Sequence, residues 1–227
     1  MSETKLSSAS SFFAAARKHM LESQVRTWDV TDPRVLDLVA QAPRQEFVPE
    51  RYRNLAFADI NIPLGHGQVM MSPMLEARLL QVLDIQARDK ILEIGTGSGY
   101  FTWLLAKLGG HVHSVEIHGE FSAAATAKLA TQGILNVTLE TGDAARGWDR
   151  HALYDVIIIT GSTPILPDAF QRSLAVGGRL AAVVGTSPAM EARLIKRIDS
   201  ASFSQQPLFE TDLPPLQNAA APARFVF

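Results

Sequence analysis

The apolar and polar positions change rhythm near residue 89. Before it, apolar residues recur at helical spacing. "SSASSFFAAARKHMLESQ" places serines ahead of an amphipathic run and predicts a helix. "TDPRVLDLVAQAP" predicts a second, with Thr31 or Asp32 as cap and Pro33 in the first turn. Its apolar face is Val35, Leu36, Leu38 and Val39. "PERYRNLAF" reads as a short helix and "NIPLGHGQVMM" as a loop. "SPMLEARLLQVL" reads as a helix capped by Ser72 with Pro73 at its start.

Beyond residue 89, short apolar runs alternate with helical ones. "KILEI", "VHSVEI", "NVTLE", "YDVIIIT" and "RLAAVVG" read as strands. "YFTWLLAKLG", "GEFSAAATAKLATQG" and "PILPDAFQRSLAVGG" read as helices, the last two closed by glycine. That alternation predicts a mostly parallel sheet with helices on both faces. In "MEARLIKRI", Met190, Ala192, Leu194 and Ile198 alternate with Glu191, Arg193 and Arg197. The pattern suits an antiparallel strand with one wet face. Further strands are expected near "QPLFETDL" and "ARFVF". The expected architecture is a Rossmann-like α/β core over residues 76–227. Residues 1–75 form a helical extension carrying a functional loop, packed on that core.

Composition narrows the function classes. The 227 residues are 47% hydrophobic and 19% charged, with a net charge of −2. No basic cluster suggests a nucleic acid or a membrane surface as partner. Cysteine is absent, which excludes thiolate catalysis, disulfides and cysteine-based zinc sites. The apolar run Phe12 to Ala16 is too short for a signal peptide, and no run approaches the roughly 20 residues that span a bilayer. A cytoplasmic protein is the expectation, with no indication of oligomeric state.

The strongest chemical signal is "ILEIGTGSGY", where a strand hands over to a helix. Gly95, Gly97 and Gly99 permit a tight turn and a close ligand. A dinucleotide fingerprint would place glycine at position 100, which is Tyr100. Glu93 precedes the turn; its carboxylate repels a pyrophosphate and attracts an ammonium group. Both points favour an amino-acid-bearing cofactor such as S-adenosylmethionine over a nicotinamide dinucleotide. Glu116 ends the second strand, at the distance that suits a ribose diol. Asp143 follows the third strand, placed to accept from an adenine amino group. Any one of these acids alone is ordinary helix-cap chemistry; three on successive strand ends outline a nucleoside crevice.

Other groups carry less. His111 and His113 share a strand face without a third ligand near them in sequence, so no metal site is expected. Trp28, Trp103 and Trp148 suit a core or a crevice wall.

Several segments resemble the protein-L-isoaspartate O-methyltransferase family. "RVLDLVAQAPRQEFVP", "LGHGQ", "ILEIGTGSGY", "VHSVEI", "GDAARGW", "YDVIIIT", "LAVGGRLAAVVG" and "LPPL" occur in that family's order, from about residue 20 onward. The glycine motif alone indicates a class I methyltransferase; "PRQEFVP" and "LGHGQ" are the family-specific part. The resemblance implies S-adenosylmethionine as methyl donor and methylation of the α-carboxylate of an isoaspartyl residue, a protein-repair reaction. It further implies that Glu93, Gly95, Thr96 and Gly97 hold the methionine end. Glu116 and Ile117 would then take the ribose, and Asp143 and Ala144 the adenine side. The loop from Gly65 to Ser72, with Gly67, Gln68, Val69, Met70 and Met71, would cover the sulfonium. His66, Thr160 and Ser162 would face the substrate. The family's serine falls on Met71; Ser72, one place later, is the candidate catalytic hydroxyl or simply a helix cap. The residues leave open a different carboxylate or small-molecule acceptor, or cofactor binding without transfer.

Overall fold

The computed structural model describes residues 3–221, with side chains described from Ser11 onward. The chain divides into two compact units between Gln81 and Val82, inside one helix.

The first unit opens with α1 (Glu3–Met20), continued by a π turn (Leu21–Val25) and a 3-10 turn (Arg26–Trp28). Helix α2 (Pro33–Gln41) is capped by Asp32, whose carboxylate accepts from the Arg34 amide at 2.8 Å. The short helix at residues 50–55 is of the 3-10 type. The stretch expected as a loop is instead a hairpin of β1 (Ile62–Gly65) and β2 (Gln68–Met70). At its tip His66 and Gly67 have φ of 51° and 72°, the two positive values that a type I′ turn requires. Strands of four and three residues, interrupted by a register shift between Pro63 and Gly65, leave no alternation for a sequence pattern to show. Helix α3 (Pro73–Leu83) begins where expected, the Glu76 amide donating to the Ser72 carbonyl at 3.1 Å.

A buried guanidinium ties this unit together. Arg44, 1% exposed, donates through Nε to the Ala56 carbonyl at 2.7 Å and through Nη2 to the Met71 carbonyl at 2.6 Å. Its Nη1 pairs with the Glu76 carboxylate. Burial pushes the Glu76 pKa up to about 7, and Arg44 pulls it the other way. One cation thus fixes a 3-10 turn, the end of β2 and the first turn of α3.

The second unit is built on a seven-stranded sheet. Its elements are β3 (Lys90–Ile94), α4 (Tyr100–Leu108), β4 (His111–Glu116), α5 (Gly119–Thr131), β5 (Val137–Thr141), β6 (Tyr154–Thr163), α6 (Asp168–Arg172), β7 (Leu174–Thr186), β8 (Ala189–Arg197) and β9 (Phe203–Glu210). The order is β5-β4-β3-β6-β7-β8-β9. The first five strands are parallel, and β8 and β9 are added antiparallel. Chain direction across the sheet reverses between β3 and β6, the switch point where α/β sheets open a crevice. Leu92, Ile157, Ile159 and Leu180 are among the buried residues that form the core.

Two sequence expectations are corrected in this unit. The helix expected over residues 164–178 is confined to Asp168–Arg172, and "LAVGG" already belongs to β7. A Cβ on Gly178 would lie 2.8 Å from the Ala175 carbonyl and 3.0 Å from that of Tyr154. The glycine pair therefore serves a strand irregularity rather than a helix end. Ile198, expected on the apolar face of β8, lies past the strand at 57% exposure, and Ile195 is buried on the opposite face, the one expected to be wet. The strand expected at "ARFVF" lies outside the described residues.

At the start of β4 a group of histidines meets the loop before β6. The His113 ring stacks on His151 at 4.3 Å and approaches His111 at 4.8 Å. Burial first, then His151, His111 and Lys90, push the His113 pKa down to about 4, against a smaller upward pull from Glu140.

Two outcomes are expected. Arg44→Met leaves Glu76 as an unpaired buried charge and lowers unfolding stability by about 3–5 kcal/mol in urea titrations. The double variant Arg44→Met/Glu76→Leu recovers much of that loss, because it removes both charges. His113 is also expected to contribute a loss of stability as pH drops from about 6.5, the unfolded histidine value, toward about 4, while Glu76, with its raised pKa, contributes the opposite sign below about 7. The His113 sign follows from its depressed folded pKa: the unfolded chain binds the proton first. His113→Gln removes that contribution, so its stability relative to the wild type rises as pH falls through this window.

Candidate active site at the glycine turn

The turn between β3 and α4 is fixed by a buried carboxylate. Glu93 is 0% exposed, and its Oε2 accepts from Thr102 Oγ1 at 2.5 Å and from Ser114 Oγ at 2.6 Å. Ser114 Oγ also lies 2.5 Å from Thr96 Oγ1. Since the one Ser114 proton goes to Glu93, Thr96 is the donor in that second contact. The chain Thr96→Ser114→Glu93←Thr102 therefore joins the glycine turn, β4, β3 and α4. Glu93 and Thr96 were expected to meet the methionine end of a cofactor. The structure turns both side chains into this network, so the Thr96 hydroxyl is withdrawn from any ligand.

The amides of the turn are largely used within the protein. Gly95 donates to the Val115 carbonyl at 2.8 Å and Gly99 to the Thr96 carbonyl at 2.9 Å. The Gly97 amide donates to Glu116 Oε2 at 2.8 Å, and the Tyr100 amide reaches Ser98 Oγ at 3.3 Å. A phosphate site needs such amides open; at these four positions they are not. The turn suits a ligand without phosphate.

The strand ends around it supply acceptors. Glu116 also accepts from the His118 amide through Oε1 at 3.0 Å, so each oxygen holds one backbone N–H and keeps further acceptor capacity. Asp143 is exposed; Oδ1 accepts from the Ala145 amide at 3.0 Å and Oδ2 from Asn218 Nδ2 at 2.9 Å. Ile117 is half-buried and Ala144 is 4% exposed, as crevice wall. Gly95, at φ 96°, lies so close to β6 that an added Cβ would stand 2.5 Å from Thr160 Oγ1.

The expected substrate side is rearranged. Thr160 donates to the Ile94 or Gly95 carbonyl, at 2.9 and 2.7 Å. Ser162 is 0% exposed and donates to the Leu213 carbonyl at 2.8 Å, so it is not a substrate contact. Its backbone amide and carbonyl bind Pro214 and Leu216 respectively. A C-terminal strap over residues 213–218 is thereby laid along the end of β6, with Leu216 against Gly161. The sequence held a signal for the strap in "LPPL", but nothing in its spacing marks Asn218 as the partner of Asp143.

The hairpin expected to cover the sulfonium belongs to the first unit. His66 and Gly67 are exposed at its tip, and Gln68 and Val69 are half-buried. Met70 and Met71, expected to cover the sulfonium, are each 3% exposed, so their side chains offer almost no surface to a ligand. Ser72 is 9% exposed, with its amide held by Asn61 Oδ1 at 3.0 Å. That is the setting of a helix start.

Residues 15–220 match the model of the protein-L-isoaspartate(D-aspartate) O-methyltransferase family. The chain belongs to this family. It is 40% identical over 184 residues to protein-L-isoaspartate O-methyltransferase 1 of Rhodopseudomonas palustris strain HaA2, covering 81% of this chain and 75% of that one. It is 36% identical over 214 residues to the Koribacter versatilis protein-L-isoaspartate O-methyltransferase, covering 93% and 96%. The fold matches a solved protein-L-isoaspartate O-methyltransferase with a TM-score of 0.74 at 23% identity, covering 88% of this chain and 65% of that one. A Plasmodium falciparum chain described as a beta-aspartate methyltransferase, solved with S-adenosyl-L-homocysteine, matches at TM-score 0.74 and 19% identity, covering 88% and 97%. Among the described residues no helix is long and apolar enough to cross a membrane.

The Glu93 network makes a measurable claim. Ser114→Ala and Thr102→Val each remove one donor from a buried carboxylate and lower stability by about 1–3 kcal/mol. In the double variant the two losses are non-additive, as urea titration of the set would register.

Proposed function

We propose that this O-methyltransferase uses S-adenosylmethionine to methylate the α-carboxylate of isoaspartyl residues in proteins or peptides. The observation that carries the cofactor assignment is the donor–acceptor balance of the crevice. Four turn amides are bonded internally, which disfavours a phosphate, and carboxylates at two neighbouring strand ends suit donors such as a diol and an amine. Glu116 and Ile117 take the ribose side, Asp143 and Ala144 the adenine side, and the backbone at Gly95 and Gly97 the methionine end. When bound, S-adenosylmethionine supplies an electrophilic methyl group on its sulfonium.

The protein's own work is positioning and exclusion of water. A carboxylate acceptor, with a pKa near ~4, is ionised at neutral pH and needs no general base. That removes the need for His66 as a base and for Ser72 as a catalytic hydroxyl. Ser72 keeps an architectural role at the start of α3. The choice of acceptor is assigned to the hairpin on the family resemblance, with Met71 at the family's serine position.

S-adenosylhomocysteine is expected to raise the melting temperature of the wild-type protein and to do so far less in Glu116→Ala. An unchanged melting temperature at saturating ligand would sink the cofactor assignment. Labelled methyl groups should pass to an isoaspartyl peptide and not to its normal aspartyl counterpart. Ligand-induced stabilisation without any such transfer refutes the acceptor and leaves the cofactor standing. Ser72→Ala should keep kcat within a few-fold, since the bonds of Ser72 at the start of α3 are made by its backbone.

A further inference from the structure

Sequence spacing pairs His111 with His113, but the fold groups them differently. His111 Nε2 is taken by Thr138 Oγ1 at 2.9 Å on β5. His113 instead meets Glu140 of β5 and His151 of the loop before β6. One ligand atom from each of these three lies within 4.8 Å of the others. The two imidazoles are stacked at 4.3 Å with an interplanar angle of 18°. His113 Nδ1 is buried and has no hydrogen-bond partner among the described residues.

The carboxylate is held from behind. Glu140 Oε2 accepts from Trp148 Nε1 at 3.1 Å and lies 3.1 Å from His151 Nε2; Oε1 accepts from Arg150 Nη1 at 3.3 Å. This second set of contacts orients the acid toward the two rings, as outer-shell groups do around a metal. Arg150 is mostly solvent-exposed, its guanidinium 4.6 Å from the centre of the Trp148 ring. Lys90 caps the same region, its ammonium 5.5 Å from the centre of the Tyr154 ring.

We propose that His113, Glu140 and His151 form a zinc-binding site with one coordination position open to water. Two histidines and one carboxylate are an established donor set for Zn2+, and the three residues come from two adjacent strands and one loop. Ligand atoms around a tetrahedral zinc stand about 3.4 Å apart, given metal–ligand bonds of about 2.0–2.2 Å. The group closes to that spacing by side-chain rotation of His151, the most exposed of the three. On binding, the ring proton of His151 sits on Nδ1, the tautomer that turns the Nε2 lone pair to the metal, and the ion takes the place of the His151–Glu140 hydrogen bond. The ion then clamps the loop before β6 to β4 and β5, three residues along the chain from Asp143. The proposal is independent of the methyl-transfer reading.

The test uses the full chain purified without a histidine tag and stripped with chelator, titrated with zinc chloride alone. Calorimetry is expected to show saturation at about one ion per chain. The melting temperature should rise by roughly 5 °C when free zinc exceeds Kd about 100-fold. Cobalt should give the visible absorption of a tetrahedral site. His151→Ala, on a half-exposed loop and so neutral to folding, and His113→Gln should each weaken binding by roughly 100-fold or more. His111→Ala should bind as wild type. Zinc that fails to saturate the wild-type chain, or that binds His151→Ala equally well, overturns the proposal.

Discussion

The buried carboxylate of Glu93 is the constraint on which the second unit turns. A carboxyl group with no exposure is costly to bury, and it survives only with partners aimed at it. Thr102 and Ser114 supply them, and Thr96 supports Ser114 in turn. Each donor comes from a different element, so the carboxylate fixes the distance from β3 to β4 and to α4 at once. The glycine turn then has little freedom left. Its amides fall onto Val115, Glu116 and Thr96, and Glu116 is held against the turn from the neighbouring strand end. Chains of hydroxyl-to-carboxylate bonds reinforce one another in a low-dielectric interior.

The first unit solves a related problem with the opposite charge. Arg44 is the largest fully buried side chain among the described residues, and its partners include a carboxylate and two carbonyls. A guanidinium suits this task because its fork of donors is rigid and always charged. By holding the Met71 carbonyl it sets how β2 leaves the hairpin and enters α3. The "PRQEFVP" segment thereby has a physical role within the unit: it delivers the cation that orders the hairpin's exit.

Much of the fold was legible because parallel strands buried on both faces read as unbroken apolar runs. "KILEI", "VHSVEI" and "YDVIIIT" each became a strand. The β1–β2 hairpin escaped because its strands are shorter than the alternation that would reveal them. "LAVGG" misled because a glycine pair at a strand irregularity looks like one at a helix end. At the site, the positions of Glu93, Glu116 and Asp143 were legible, while the direction of Glu93 was not. A sequence shows an acid at a strand end without showing whether the next helix carries a hydroxyl that draws it inward. The pairing of His113 with Glu140 and His151 was invisible for the same reason. It depends on strand register and on the path of a loop.

Hydroxyl direction also decides what the crevice can offer an acceptor. Thr160 and Ser162 are expected on the substrate side, yet both of them, and the neighbouring Thr163, donate to main-chain carbonyls. Ser162 directs its proton to Leu213, and the same residue pairs with the strap at Pro214 and Leu216. The strap in turn sets Asn218 against Asp143, so the expected adenine-side acid depends on residues 75 positions later. A rim built this way presents carboxylates and backbone rather than side-chain hydroxyls. Such a rim has no acid–base pair in it, and a reaction between an ionised carboxylate and a sulfonium-borne methyl group requires none. The poverty of the rim in titratable donors is thus consistent with the chemistry assigned to it, and selectivity falls to shape and to the groups that orient the acceptor.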